Sequence, residues 1–107
     1  MPDYYTRKGT ATIRVEGPFI LPRSRRIGKA LEEHLKSGRV TDVRVDLARS
    51  TFIDGASLRM LLRLYKRAGE GHFSIRNVTA DLFDAFHAVK LDELWHIPEP
   101  DEKEESC

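Results

Sequence analysis

The feature that most restricts how this chain can fold is a change of hydrophobic period within residues 43–64. Apolar residues first alternate, at Val43, Val45 and Leu47, which is the two-residue repeat of a strand with one buried face. They then recur as Leu58, Leu61, Leu62, Tyr65 and Ala68, the spacing of a helix with a single apolar stripe. The change falls across residues 50–54, so a short loop must deliver a helix N-terminus to the end of a strand. Asp54 suits the N-cap, because a carboxylate there accepts bonds from first-turn amides that have no partner inside the helix. Gly55, Ala56 and Ser57 follow, and side chains this small leave the helix start open to a partner or an anion.

The same reading extends along the chain. Residues 10–16 alternate Ala11, Ile13 and Val15 against Thr12, Arg14 and Glu16, which predicts a half-buried strand with one wetter face, ended by Gly17 and Pro18. Ile27, Leu31 and Leu35 predict a helix over about residues 23–36, with Glu32 and Lys36 paired on its outside and Gly38 as its stop. Residues 40–47 form the next strand. Gly69 and Gly71 turn the chain into a strand over residues 72–78, with Phe73 and Ile75 inward. Thr79 caps a helix carrying Leu82, Phe83, Phe86 and Val89, and residues 91–97 add a short final helix with Leu94 and Trp95 inward. Strands joined through helices tend to lie parallel with right-handed crossovers. The expected fold class is therefore α/β: a single domain over residues 1–97, with a mixed four- to five-stranded sheet and helices packed mainly on one face.

Charge is uneven along this frame. Of 107 residues, 18 are Lys or Arg and 17 are Asp or Glu, but five of the acids (Glu99, Asp101, Glu102, Glu104, Glu105) fall in the last nine positions. With Pro98 and Pro100 breaking regular structure, residues 98–107 read as an acidic, disordered tail on a basic body. No apolar run is long enough for a signal peptide or a membrane span, which predicts a cytoplasmic protein without direct membrane insertion. The single cysteine, Cys107, forbids an internal disulfide and a cysteine metal site.

Enzymatic chemistry finds little support. Gly55, Ala56 and Ser57 at a strand-to-helix corner resemble a nucleophile elbow only faintly, since Arg59 stands where that motif needs its second glycine. Asp46 and Asp54 have no desolvated pocket that would separate their pKa values. His34, His72, His87 and His96 are spread over different elements without a ligand pair. Neither catalytic residues, a metal nor a cofactor is expected. Arg23, Arg25, Arg26 and Lys29 form a basic cluster, but no aromatic residues interleave it, so no nucleic acid is expected as a partner. Two rows on the second helix leave alternatives open. Ser57, Met60 and Leu64 either widen the core contact or form a docking surface. Arg59, Arg63, Lys66 and Arg67 either face an acidic partner or are simply solvated.

Asp46-Leu47, Thr51-Phe52-Ile53, Asp54 and Leu58, with Leu61 to Tyr65 beyond them and Val89 to Trp95 more weakly, resemble the signature of the STAS domain as found in bacterial anti-sigma factor antagonists. The resemblance implies a STAS-like single domain and a non-enzymatic role in partner switching. In that family the antagonist binds an anti-sigma factor or serine kinase of the histidine-kinase-like ATPase type, and phosphate on a hydroxyl beside the capping Asp blocks docking. Here Gly55 and Ala56 occupy those positions and carry no hydroxyl. Either the switch at this site is lost, or it has moved one step to Ser57, the candidate phosphorylation site. The implied partner-binding residues are Asp54, Gly55, Ala56, Ser57, Met60, Arg63 and Leu64. An alternative within the same family is the small STAS subunit of a bacterial ABC lipid transporter, which binds its ATPase subunit through the same helix and needs no phosphate.

Overall fold

Alternating apolar residues place three parallel strands side by side, and the rest of the molecule is arranged around them. The computed structural model describes residues 2–100. Its elements are β1 (Tyr4–Arg7), β2 (Thr10–Arg14), β3 (Gly17–Phe19), α1 (Arg23–Lys36), β4 (Asp42–Asp46), β5 (Ser50–Ile53), α2 (Gly55–Ala68), β6 (Phe73–Arg76), α3 (Ala80–Ala88) and α4 (Leu91–Leu94). The main sheet has the order β1-β2-β4-β6, with β1 antiparallel to β2 and the other pairs parallel. Register aligns Ala11 with Val43 and Phe73, and Ile13 with Val45 and Ile75, so one face is continuously apolar. Helix α2 lies against β4 and β6, and α1 packs on α2. The other face presents Arg44, Ser74 and Arg76 to solvent. This is the α/β architecture expected, a mixed four-stranded sheet with a second small sheet beside it.

That second sheet is the main correction. The chain continues past Gly17 as β3 instead of ending there, and residues 50–53, expected as loop, form β5 parallel to it. The pair is locked where it begins: the Gly17 amide donates to the Arg49 carbonyl at 2.9 Å, and the buried Ser50 hydroxyl donates to the Val15 carbonyl at 2.8 Å. Strand β1 was not anticipated. It is an edge strand whose residues are exposed apart from the half-buried Tyr4, so it lacks the alternation that marks a buried face. Thr12, expected on the wetter face, is buried between Tyr5 and Arg44 on the flanking strands.

Helix α1 has the expected bounds, with Ile27 and Leu31 buried and Leu35 half-buried. At the other end two inward assignments fail. Val89 is 54% exposed and Leu94 40%. The reason is local: α3 stops at Ala88, Lys90 adopts a left-handed conformation with φ 63°, and α4 restarts with a new orientation and only one turn. Trp95 faces the core as expected, Leu91 does so in place of Leu94, and Ile97 is buried. The Trp95 ring lies 5.1 Å from Phe73 and 5.9 Å from Tyr65. Of the acidic tail read at residues 98–107, residues 101–107 and Cys107 with them lie outside the described residues.

The α1–α2 contact depends on one missing side chain. A Cβ placed on Gly28 would sit 2.5 Å from Met60 Cγ, far inside contact distance, so only glycine lets the helices approach this closely. Gly28→Val should therefore cost about 1–3 kcal/mol in urea denaturation. In a double-mutant cycle with Met60→Ala the two losses should sum to more than the double variant shows, since removing the Met60 side chain makes room for the new one.

Candidate functional site

The start of α2 is built from three chain segments joined at one carboxylate. Asp54 takes the N-cap position, with φ −96° and ψ 171°, and its Oδ1 accepts from the Ser57 amide at 2.8 Å. Its Oδ2 accepts from the Leu21 amide at 3.2 Å, just before α1 begins. Its own amide donates to the Phe19 carbonyl at 3.3 Å. Burial alone would push this carboxyl up, but bonds from Ser57 and from the Leu21 amide outweigh that effect and hold it below its ordinary value. The Ser57 hydroxyl is near enough to favour the charged carboxylate, yet it makes no hydrogen bond of proper geometry and is wholly buried.

Around this cap the proposed binding residues separate into two groups. Gly55 is exposed, Ala56 is half-exposed, and the amides of this first turn have no acceptor within the helix. Arg63 is exposed one face further along. Ser57, Met60 and Leu64 are instead buried, at 0%, 7% and 0% exposure. Met60 and Leu64 sit at the α1–α2 junction, where they line a groove of about 420 Å³, so the apolar row widens the core contact and reaches solvent only as a groove floor. Two large apolar side chains flank the site without having been singled out for it: Phe52 is 57% exposed and Leu21 is 42% exposed. In the sequence, an aromatic residue two positions before the N-cap Asp54 is the signal that could have pointed to Phe52.

In the basic row, Arg67 pairs with Glu32 at 3.7 Å, while Arg59, Arg63 and Lys66 have no ion-pair partner among the described residues. Asp46 is occupied elsewhere. It accepts from the Ala48 amide at 3.0 Å and from the Asn77 side chain at 2.9 Å and pairs with Arg14 at 3.5 Å, so it anchors the β4 exit. Among the described residues no group of three His, Cys, Asp or Glu side chains could hold a metal ion. Nor is any described helix long and apolar enough to cross a membrane.

Residues 4–97 match the family model described as Mlab, STAS domain. Among solved structures, the phosphorylated form of the Bacillus cell-fate determinant SpoIIAA superposes with a TM-score of 0.73 at 18% identity, covering 94% of this chain and 92% of that one. An anti-sigma factor antagonist from Mycobacterium paratuberculosis gives 0.69 at 16% identity, with 86% and 79% covered. A sulfate transporter family protein from Wolinella succinogenes gives 0.65 at 17%, with 85% and 75% covered. Likeness at such identities is a likeness of fold. No curated protein sequence matches the chain.

The cap makes a pH-dependent contribution of definite sign. Folding lowers the Asp54 pKa from its ordinary 3.8, so its stabilisation is complete above that value and is lost as pH falls through the lower folded value. Asp54→Ala should cost about 1–2 kcal/mol near neutral pH, and the gap from the unaltered protein should narrow in acid. Asp54→Asn, which still caps, should lose less. Urea denaturation at neutral and acid pH checks both.

Proposed function

This chain belongs to the STAS domain family, and from that premise we propose that it is a non-enzymatic, cytoplasmic protein-binding regulator, an anti-sigma factor antagonist that docks through the start of α2. Its partner is an anti-sigma factor or serine kinase of the histidine-kinase-like ATPase type. Neither nucleic acid nor membrane insertion has a part in this role. The observation that carries the reading is a helix start that is capped, open and free of accessible hydroxyls. Asp54 fixes it, Gly55 and Ala56 form its surface, and the Ser57 hydroxyl is shut inside.

The consequence concerns the switch. A phosphate at this corner would add about −1.5 to −2 charge next to Asp54 and repel a closely packed partner. Gly55 and Ala56 give it nothing to attach to, and the burial of Ser57 supports a lost switch over a displaced one. Docking at this surface is then governed by the amounts of the two proteins and by other partners competing for it. The same absence favours a second reading, the small STAS subunit of an ABC lipid transporter, in which binding to the ATPase is permanent and needs no phosphate.

Copurification from the native host, with phosphopeptide mapping of residues 50–59, tests both. Ala56→Glu is the informative variant, because an acidic residue in the first turn favours the helix while placing charge and bulk on the docking surface. The unaltered chain should retain a histidine-kinase-like ATPase, Ala56→Glu should lose it at unchanged thermal stability, and residues 50–59 should carry no phosphate. Recovery of an ABC ATPase with its permease would establish the second reading. Phosphate on Ser57 would overturn the lost switch.

A further inference from the structure

Two rows of positive charge, unpaired among the described residues, face each other across the groove between α1 and α2. Arg25 and Lys29 stand one turn apart on α1, and Arg59 and Arg63 stand one turn apart on α2. All four are exposed and line the same groove of about 420 Å³. None has an ion-pair partner among the described residues, whereas the neighbouring cations Arg23 and Arg67 pair with Asp3 and Glu32. Glu32 is the one carboxylate among the described lining residues, and it is engaged by Arg67 at 3.7 Å. Among the described residues, then, nothing compensates the positive field of the groove.

The floor between these rows is apolar. Gly28 lets the helices close on one another, and Met60 and Leu64 fill the space beneath. At one end Ser24 lines the groove with a buried hydroxyl that no described residue satisfies. Like charges held across a narrow cleft repel, and a surface of opposite sign relieves them while the apolar floor is covered. Aromatic side chains, which stack nucleic-acid bases, are missing from the described lining residues.

We propose that this groove receives an acidic segment of the partner protein, with carboxylates along both its edges meeting Arg25 and Lys29 on one side and Arg59 and Arg63 on the other. An apolar side chain between the carboxylates settles on Met60 and Leu64. The inference rests on docking through α2 and gives that partner its chemistry. It also adds a second wall, from α1, to the docking surface on α2. Attraction between such charged surfaces raises the association rate and weakens with ionic strength.

The test uses the full chain, isotopically labelled, titrated with a synthetic peptide of glutamates interspersed with leucines, with inorganic phosphate and a single-stranded oligonucleotide as competing probes. The peptide should move the amide signals of Arg25, Lys29, Ala56, Arg59 and Arg63, and binding should weaken as salt is added. Arg25→Glu with Lys29→Glu should weaken it by about tenfold or more, and Arg25→Gln with Lys29→Gln by less, both at unchanged circular dichroism. Shifts confined to Arg44 and Arg76 on the open sheet face, equal binding by the charge-reversed chain, or tighter binding of the oligonucleotide or phosphate in the groove would each overturn it. The two readings also fail separately. If Ala56→Glu loses the host partner while Arg25→Glu with Lys29→Glu retains it, docking at α2 stands and the acidic segment does not.

Discussion

A single carboxylate holds together the corner of the molecule at which docking is proposed. Asp54 accepts from Ser57 with one oxygen and from Leu21 with the other, while its amide reaches Phe19. Through those three bonds the end of β3, the approach to α1 and the first turn of α2 become one rigid corner. Each bond alone is worth little net. Together they fix where α1 and α2 begin, and the helices diverge or converge from there. Gly28 then allows contact at Met60 without a clash, so the width of the groove follows from the corner and from one absent side chain.

Helix α2 divides its surface among three neighbours. Leu58 and Leu61 belong to the core over the sheet, Met60 and Leu64 are taken up at the junction with α1, and Gly55, Ala56, Arg59 and Arg63 remain outside. This last group, with exposed Lys66 and Arg67 further along, can be reached directly by another protein. It combines an uncluttered helix start with positive charge, and exposed Phe52 and Leu21 border it. That combination suits a surface that is open at all times. A hydroxyl in the first turn would make it conditional, and the only one there, on Ser57, is buried.

How much of this was legible in the sequence depended on whether the cause was local. The bounds of α1 could be read from its apolar period and the Gly38 stop, and the start of α2 from its period and the Asp54 cap. Strand β5 could not: Ser50 and Ile53 are buried while Thr51 and Phe52 are exposed, a pattern of neither strand nor helix, and pairing with distant β3 decides it. The periodicity that would put Val89 and Leu94 inward is interrupted by the left-handed turn at Lys90. Met60 and Leu64 were ambiguous because a flanking apolar row has the same spacing whether it meets solvent, a partner or another helix. Arg25 and Lys29 read as a local cluster, and their position opposite Arg59 and Arg63 exists only once the helices pack.

The most direct test of a permanently open docking corner is site-specific photo-crosslinking in the native host, with the reactive group placed in turn at Ala56, at Arg59 and at Arg44. Cross-links from Ala56 and Arg59 to the same protein, absent from Arg44, are the expected result. Cross-links from Arg44 alone would move the interface to the open sheet face and contradict a docking role for the start of α2.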